Sequence, residues 1–243
     1  MRRFSISSSF SQLFRLLLVG GLILWAGTGY ALKPENIRHG ELDALPPYCP
    51  HTMGFDYSFS NKSPRAPYWE AVMGFDLWKV HHYCWALMSL KRAESRTMPL
   101  EQRRHIWIDA IGDMDWTVRN SSANFALLPE IHLRMGEVQL LLGSQTGAYN
   151  EFLRARQLKP DYWPAYSSWA AVLIKLGLKV EAKKLVEEGL GYAPEAKVLI
   201  DQYKALGGDP AKVQPLNKAP AAVDPAASSE ATIPAPAQGA AAR

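Results

Sequence analysis

The 243-residue sequence has little cysteine and none of the short motifs that mark common enzymes. Two cysteines are too few for a disulfide-dense miniprotein. A serine nucleophile elbow, a phosphate-binding glycine-rich loop, a His-Glu-x-x-His zinc motif and a Cys-x-x-Cys-His haem motif are all absent. Hydrophobic residues make up 48% of the chain, which is enough for a buried core and excludes disorder of the whole chain. We therefore predict a folded protein that is not an enzyme and uses no cofactor.

Acidic residues are absent before Glu35, and this one-sided charge is typical of an export signal. Three arginines precede an apolar run over residues 16–26, which is too short to span a bilayer because spanning needs about 20 residues. Gly29 and Ala31 are small residues at the positions that signal peptidase requires. We predict that residues 1–31 are a cleaved signal peptide and that the mature chain is periplasmic. Membrane contact is expected only through this segment, if it stays uncleaved.

The basic balance of the chain comes mostly from this signal. The precursor has 27 Lys and Arg against 23 Asp and Glu, a net charge of +4. Removing residues 1–31 takes away three arginines and no acid, which leaves 24 positive and 23 negative side chains and a net charge of +1. A nearly neutral chain has no broad basic surface, and we predict no nucleic-acid partner.

The first half of the mature chain divides into an irregular segment and a helical hairpin. Residues 32–67 contain frequent proline and glycine together with several aromatic residues, which predicts an irregular segment packed on the helices that follow. Apolar residues at three- and four-residue spacings predict a hairpin over residues 68–120. Its first helix is expected over Tyr68–Glu94 and its second from Pro99 to Arg119. Asp109, Asp113 and Asp115 are expected to form a solvated face of that second helix.

An internal repeat of 34 residues is the strongest pattern in the chain. The first copy predicts helices over Glu130–Gly143 and Thr146–Gln157, with Gly136 where the two helices approach closely. The second copy covers Trp163–Pro194, and one further helix is expected over Val198–Leu206. In this register the following pairs align: Gly143 with Gly177, Ala148 with Ala182, Phe152 with Val186, Ala155 with Gly189, and Pro160 with Pro194.

The period and these small and bulky positions resemble the tetratricopeptide repeat (TPR), a helix-turn-helix unit. The resemblance implies an all-α repeat array over residues 129–207 in an exported bacterial protein. Gly189 departs from the family pattern, which usually has alanine there. Stacked TPR units form concave binding surfaces lined by the first, or A, helix of each unit. By family register, that side carries Glu130, Leu133, Glu137, Leu140, Leu141, Ser167, Ala171, Ile174 and Lys175.

The resemblance further implies a non-catalytic scaffold or assembly factor with a protein or peptide partner in the cell envelope. An alternative left open by the sequence is that the groove is filled from within, by the closing helix or by residues 32–67. Residues 208–243 are rich in alanine and proline and poor in large apolar residues. Such a composition predicts a disordered tail.

Cys49 and Cys84 have two interpretations. An even pair in an exported chain predicts a disulfide, which would tie the irregular segment to the first helix of the hairpin and contribute about 3–4 kcal/mol by chain entropy. The alternative is a metal-binding or redox accessory factor that uses the histidines beside them. His51 and His81 with the two cysteines, and His82 nearby, could then supply zinc ligands. His105 and His132 have no such neighbours and are expected to be surface or packing residues.

Overall fold

The computed structural model describes residues 37–38, 40–53, 55 and 63–216, and every regular element in these ranges is helical. The all-α prediction is therefore confirmed for the described residues. The predicted signal peptide and residues 217–243 of the predicted tail lie outside them. In chain order the helices are α1 Ala66–Met73, α2 His81–Ala93, α3 Leu100–Asn120, α4 Leu128–Leu141, α5 Gln145–Leu158, α6 Trp163–Lys175, α7 Lys179–Tyr192 and α8 Lys197–Ala205.

The single helix predicted over Tyr68–Glu94 is wrong, because the chain breaks after α1. Gly74 has a φ of +65°, in the left-handed region that glycine adopts without a steric cost. A 3-10 turn over Gly74–Trp78 follows, and α2 begins only at His81. The second helix of the hairpin is confirmed as α3, which packs along α2. In the described residues of the irregular segment before α1, the regular elements are short 3-10 turns at Leu42–Ala44 and Cys49–His51.

Two successive helix pairs, α4 with α5 and α6 with α7, account for the internal repeat. The helices predicted for the first copy are confirmed to within two residues at each end. Gly143 and Gly177 occupy the turns of the two pairs with φ values of +82° and +80°. Positions that align in the sequence are also buried alike, since Ala148, Ala182, Phe152 and Val186 all have an exposed fraction of 0%. These aligned positions therefore face the interior in both pairs.

Glycines mark the closest approaches within and between the pairs. A Cβ added at Gly136 would lie 2.7 Å from the ring of Phe152, so α4 and α5 pack with no room for a side chain there. At Gly189 an added Cβ would lie 2.8 Å from the Tyr166 ring and 2.9 Å from Leu199. This contact explains why glycine replaces the expected alanine, because two bulky neighbours already fill the space.

The core has two parts that meet at α4. One part joins the irregular segment to α2, α3 and one side of α4, which contributes Ile131, Met135 and Val138. The other part fills the space between α5, α6, α7 and α8, and α4 contributes Leu133 to it. Because α4 supplies residues to both parts, it fixes the first helix pair against the N-terminal half.

The start predicted for the disordered tail, Gly208, is too early. Val213 packs against the second part of the core, and the backbone N–H of Leu216 donates to the carbonyl oxygen of Gly191 at 2.8 Å. Gly191 has no side chain, which leaves room for the side chain of Leu216 against α7. The chain thus stays on the surface of the second pair through residue 216.

We expect Gly136→Ala to lower the free energy of unfolding by about 1–3 kcal/mol, because the added methyl group overpacks the contact with Phe152. The matched control is Gly112→Ala in α3, where an added Cβ meets nothing within 4 Å. That substitution should stabilise the protein by about 0.5–1 kcal/mol, since alanine is the better helix former. Urea unfolding measures both. Equal stability of the Gly136→Ala variant and the wild type would contradict the close approach of α4 and α5.

Candidate functional site

Three of the residues predicted for the groove lie together at a cavity of about 720 Å³. Glu130, Glu137 and Leu141 form its α4 side. The irregular segment contributes residues 44–46, and α2 and α3 supply the rest of the wall. The apolar part of the lining consists mainly of Leu45, Leu87, Leu90, Trp107, Val138 and Leu141. The cavity therefore lies between three of the predicted groove residues on α4 and elements outside the repeat, namely the irregular segment, α2 and α3.

The other predicted groove residues do not line this cavity. Leu133 is 5% exposed and belongs to the core, so its prediction as a surface residue is wrong. The reason is that α4 packs on both sides and Leu133 faces the second helix pair. Leu140 and Ile174 are half-buried against the same part of the core. Ala171 is half-buried and Lys175 is exposed.

Other parts of the chain contact the side of the array that was predicted to form the groove. At the second pair, the side-chain amide Nε2 of Gln202 in α8 donates to the carbonyl oxygen of Ser167 at 3.2 Å. At the first pair, the irregular segment covers one side of α4 through the residues that line the cavity.

A buried hydrogen bond connects α2 to the cavity wall. Tyr83 in α2 is completely buried, and its hydroxyl donates to Oε1 of Glu130 at 2.8 Å. Burial raises the pKa of Tyr83 well above its ordinary value, and the nearby charge of Glu130 adds to the effect. The phenol thus stays a neutral donor and holds Glu130 in place. One turn further along α4, Nη1 of Arg134 donates to Oε2 of Glu137 at 2.9 Å.

The segment that forms the far wall of the cavity is tied to α2 at both ends. Cys49 and Cys84 form a disulfide across 35 residues, with a Cα–Cα distance of 5.6 Å, and both are completely buried. At the other end, Nε and Nη2 of Arg92 each donate to one carboxylate oxygen of Glu41 at 2.7 Å. Residues 44–46 lie between these two ties. The position of the wall therefore depends on both.

The disulfide confirms the first interpretation of the cysteines and overturns the metal alternative. Both sulfur atoms are bonded to each other and cannot act as thiolate ligands. In the part of the chain that the structure describes, no three His, Cys, Asp or Glu side chains are grouped closely enough to hold a metal ion. His51 instead contacts the hydroxyl of Ser63, and Nδ1 of His81 contacts the carbonyl oxygen of Trp78 at 2.7 Å.

A histidine and carboxylate pair between α2 and α3 was not predicted. Nδ1 of His82 lies 2.6 Å from Oδ1 of Asp113, and the His82 ring stacks on Trp116 at a centroid distance of 4.0 Å. Asp113 is 4% exposed, so the prediction that it belongs to a solvated face is wrong. Burial raises the pKa of Asp113 against the opposing effect of His82. The neighbouring His81 is also buried, which lowers its pKa to about 4.

The sequence holds no local signal for this pair because its members are 31 residues apart on different helices. His132 similarly pairs with a residue on another helix, Glu151 in α5, with Nδ1 and Oε2 at 2.7 Å. It is a packing residue, as expected. His105 is exposed on α3, also as expected.

Comparison with protein-family models, curated proteins and solved structures finds no match to this chain. No helix within the described ranges is both long enough and apolar enough to cross a membrane.

We expect Glu41→Gln to lower the free energy of unfolding at pH 7 by about 1–2 kcal/mol, because the paired hydrogen bonds to Arg92 are charge-assisted and only partly screened. Arg92 holds the pKa of Glu41 at about 2 in the folded chain, against an ordinary value of 4.5. The contribution should therefore be complete above pH 4.5 and decline as the pH falls toward 2.

Urea unfolding of wild type and variant at several pH values measures this difference. The control is Glu94→Gln, whose partner Lys91 and own side chain are 59% and 66% exposed, so that its effect should be small. A difference between wild type and Glu41→Gln that stays constant from pH 7 to pH 3 would show that the charge of Glu41 is not the cause.

Proposed function

We propose that the chain is an exported, non-catalytic binding protein of the cell envelope that acts as a scaffold or assembly factor for other proteins. Its framework is a TPR-like array, with α4 and α6 as the A helices. The equal burial at aligned positions of the two helix pairs supports this assignment. The glycines in the turns of the two pairs, Gly143 and Gly177, both have a positive φ, which also supports the assignment.

The observation that carries the proposal is the cavity against α4. Glu130, Glu137 and Leu141 were placed on a binding surface by the repeat register, and all three line the same cavity. Its volume of about 720 Å³ lies in the range of sites that bind compact ligands. The lining combines apolar and charged side chains. A short segment of a partner protein that contains both apolar and charged residues would therefore fit it.

Export is supported by the disulfide as well as by the N-terminal pattern. A buried disulfide persists in an oxidising compartment, whereas cytosolic thiols are kept reduced. The tie also stabilises an irregular segment that has little regular backbone pairing. We therefore propose a periplasmic location for the mature chain.

A mass measurement tests export and the disulfide together. The chain recovered from the periplasm of an expressing bacterium should begin at Leu32 and weigh about 2 Da less than the same chain after reduction. The control is Cys49→Ala combined with Cys84→Ala, whose mass should not change on reduction. Recovery of the chain only with its first 31 residues attached would contradict cleavage. A mass that does not change on reduction of the wild type would contradict the disulfide.

Site-specific photocrosslinking in the cell envelope tests the binding site. A photoreactive phenylalanine analogue replaces Leu141 at the cavity or Val180 on the outer surface of α7, two positions that are 54% and 65% exposed. We expect a reproducible protein adduct from position 141 and none of the same size from position 180. The same adducts from both positions, or none from position 141, would count against the cavity as the partner site.

A further inference from the structure

Arg103 stands out among the charged residues of the cavity. It lies near the start of α3 and lines the cavity opposite the α4 side chains. Its Nε is shielded from solvent and has no acceptor among the residues that the structure describes. A guanidinium N–H that is removed from water without an acceptor is costly, and buried polar groups in native proteins are nearly always paired.

The other charges of the cavity already have partners. Nζ of Lys91 lies 2.6 Å from Oε2 of Glu94, and Nη1 of Arg134 lies 2.9 Å from Oε2 of Glu137. Glu130 accepts from the hydroxyl of Tyr83. Three cations line the cavity: Lys91, Arg103 and Arg134. Within the described part of the chain, Lys91 and Arg134 each form an ion pair with a glutamate, and Arg103 does not.

The geometry around Arg103 indicates the chemical class of the missing group. A guanidinium is a planar fork of N–H donors that matches a carboxylate, and it is less strongly hydrated than an ammonium group. Apolar side chains from two other helices line the same cavity, since α3 packs against both α2 and α4. Leu87 and Leu90 come from α2, and Val138 and Leu141 come from α4.

We propose that Arg103 binds the side-chain carboxylate of an aspartate or glutamate in a partner peptide, with apolar residues before and after it in the cavity. This inference rests on the proposed function, since it names the chemistry of the segment that the cavity accepts. Since both α2 and α4 contribute apolar side chains to the cavity, an acidic residue inside a peptide suits this lining better than a terminal carboxylate, which has chain on one side only.

Peptide selection on the mature chain, residues 32–243, tests the proposal. The probe is a display library of random 12-residue peptides fused at their carboxyl ends, so that a carboxylate can come only from a side chain. We expect enriched peptides to share an aspartate or glutamate between apolar residues. A synthetic copy of an enriched peptide should bind at least about tenfold more tightly than the same peptide with glutamine or asparagine at the acidic position.

Variants of the protein locate the contact. Arg103→Gln should bind the acidic peptide at least about tenfold more weakly, and Arg103→Lys should show an intermediate affinity because the charge remains without the fork. The matched control is Arg104→Gln, which removes the same charge from the exposed neighbouring residue and should bind like the wild type. Arg103→Gln should also unfold at no lower a urea concentration than the wild type, since it breaks no ion pair within the described chain.

The outcomes separate this inference from the proposed function. Enriched peptides without an acidic residue, or equal losses in the Arg103 and Arg104 variants, would overturn the role of Arg103 while leaving a peptide-binding cavity. Enrichment only from a second library with free carboxyl ends would overturn the choice of a side-chain carboxylate. No enrichment from either library would overturn the inference together with the cavity as a peptide site.

Discussion

The disulfide between Cys49 and Cys84 is the constraint on which the candidate site depends. The backbone hydrogen bonds of the described part of the irregular segment are local ones around its 3-10 turns, such as those from Cys49 N to Pro46 O and from Thr52 N to Cys49 O. It is held to the helices by the disulfide, by the Glu41 and Arg92 pair and by the burial of Tyr48. Closing a loop of this length restricts the unfolded chain by about 3–4 kcal/mol in the entropic account. Residues 44–46 form part of the cavity wall and lie in the sequence between Glu41 and Cys49, so the ion pair and the disulfide hold this part of the wall at both ends.

The position of that wall relative to the two helix pairs depends on α4. Its two sides belong to different parts of the core, since Ile131, Met135 and Val138 face the N-terminal half and Leu133 faces the second helix pair. The hydrogen bond from the buried Tyr83 to Glu130 joins α2 to α4 at the wall of the cavity. A repeat pair and a separate helical hairpin are thereby made into one packed unit. The cavity lies at their junction, so its shape depends on how α4 packs against both halves.

Local patterns predicted most of the helices, whereas contacts between distant residues were missed apart from the disulfide, which the cysteine count predicted. The 34-residue period located both pairs because its small and bulky residues are the ones that fill their interiors, as Ala148 and Phe152 show. The break at Gly74 was missed because the apolar spacing continues across it and only the backbone conformation reveals it. Family register placed Glu130, Glu137 and Leu141 on one surface, and all three line the cavity. Arg103, Trp107 and the α2 side of the cavity were missed, since the repeat pattern does not extend to them.

The hairpin of α2 and α3 carries two sets of shielded polar atoms that differ in their hydrogen-bond partners. His82 and Asp113 are both largely buried, yet each satisfies the other across α2 and α3, and Trp116 covers the imidazole ring. Nothing in that cluster calls for a further partner. In the same hairpin, Nε of Arg103 is shielded from solvent and has no acceptor among the described residues. A shielded N–H without an acceptor opposes folding, and the binding proposed above would supply Arg103 with the acceptor that the helices do not provide.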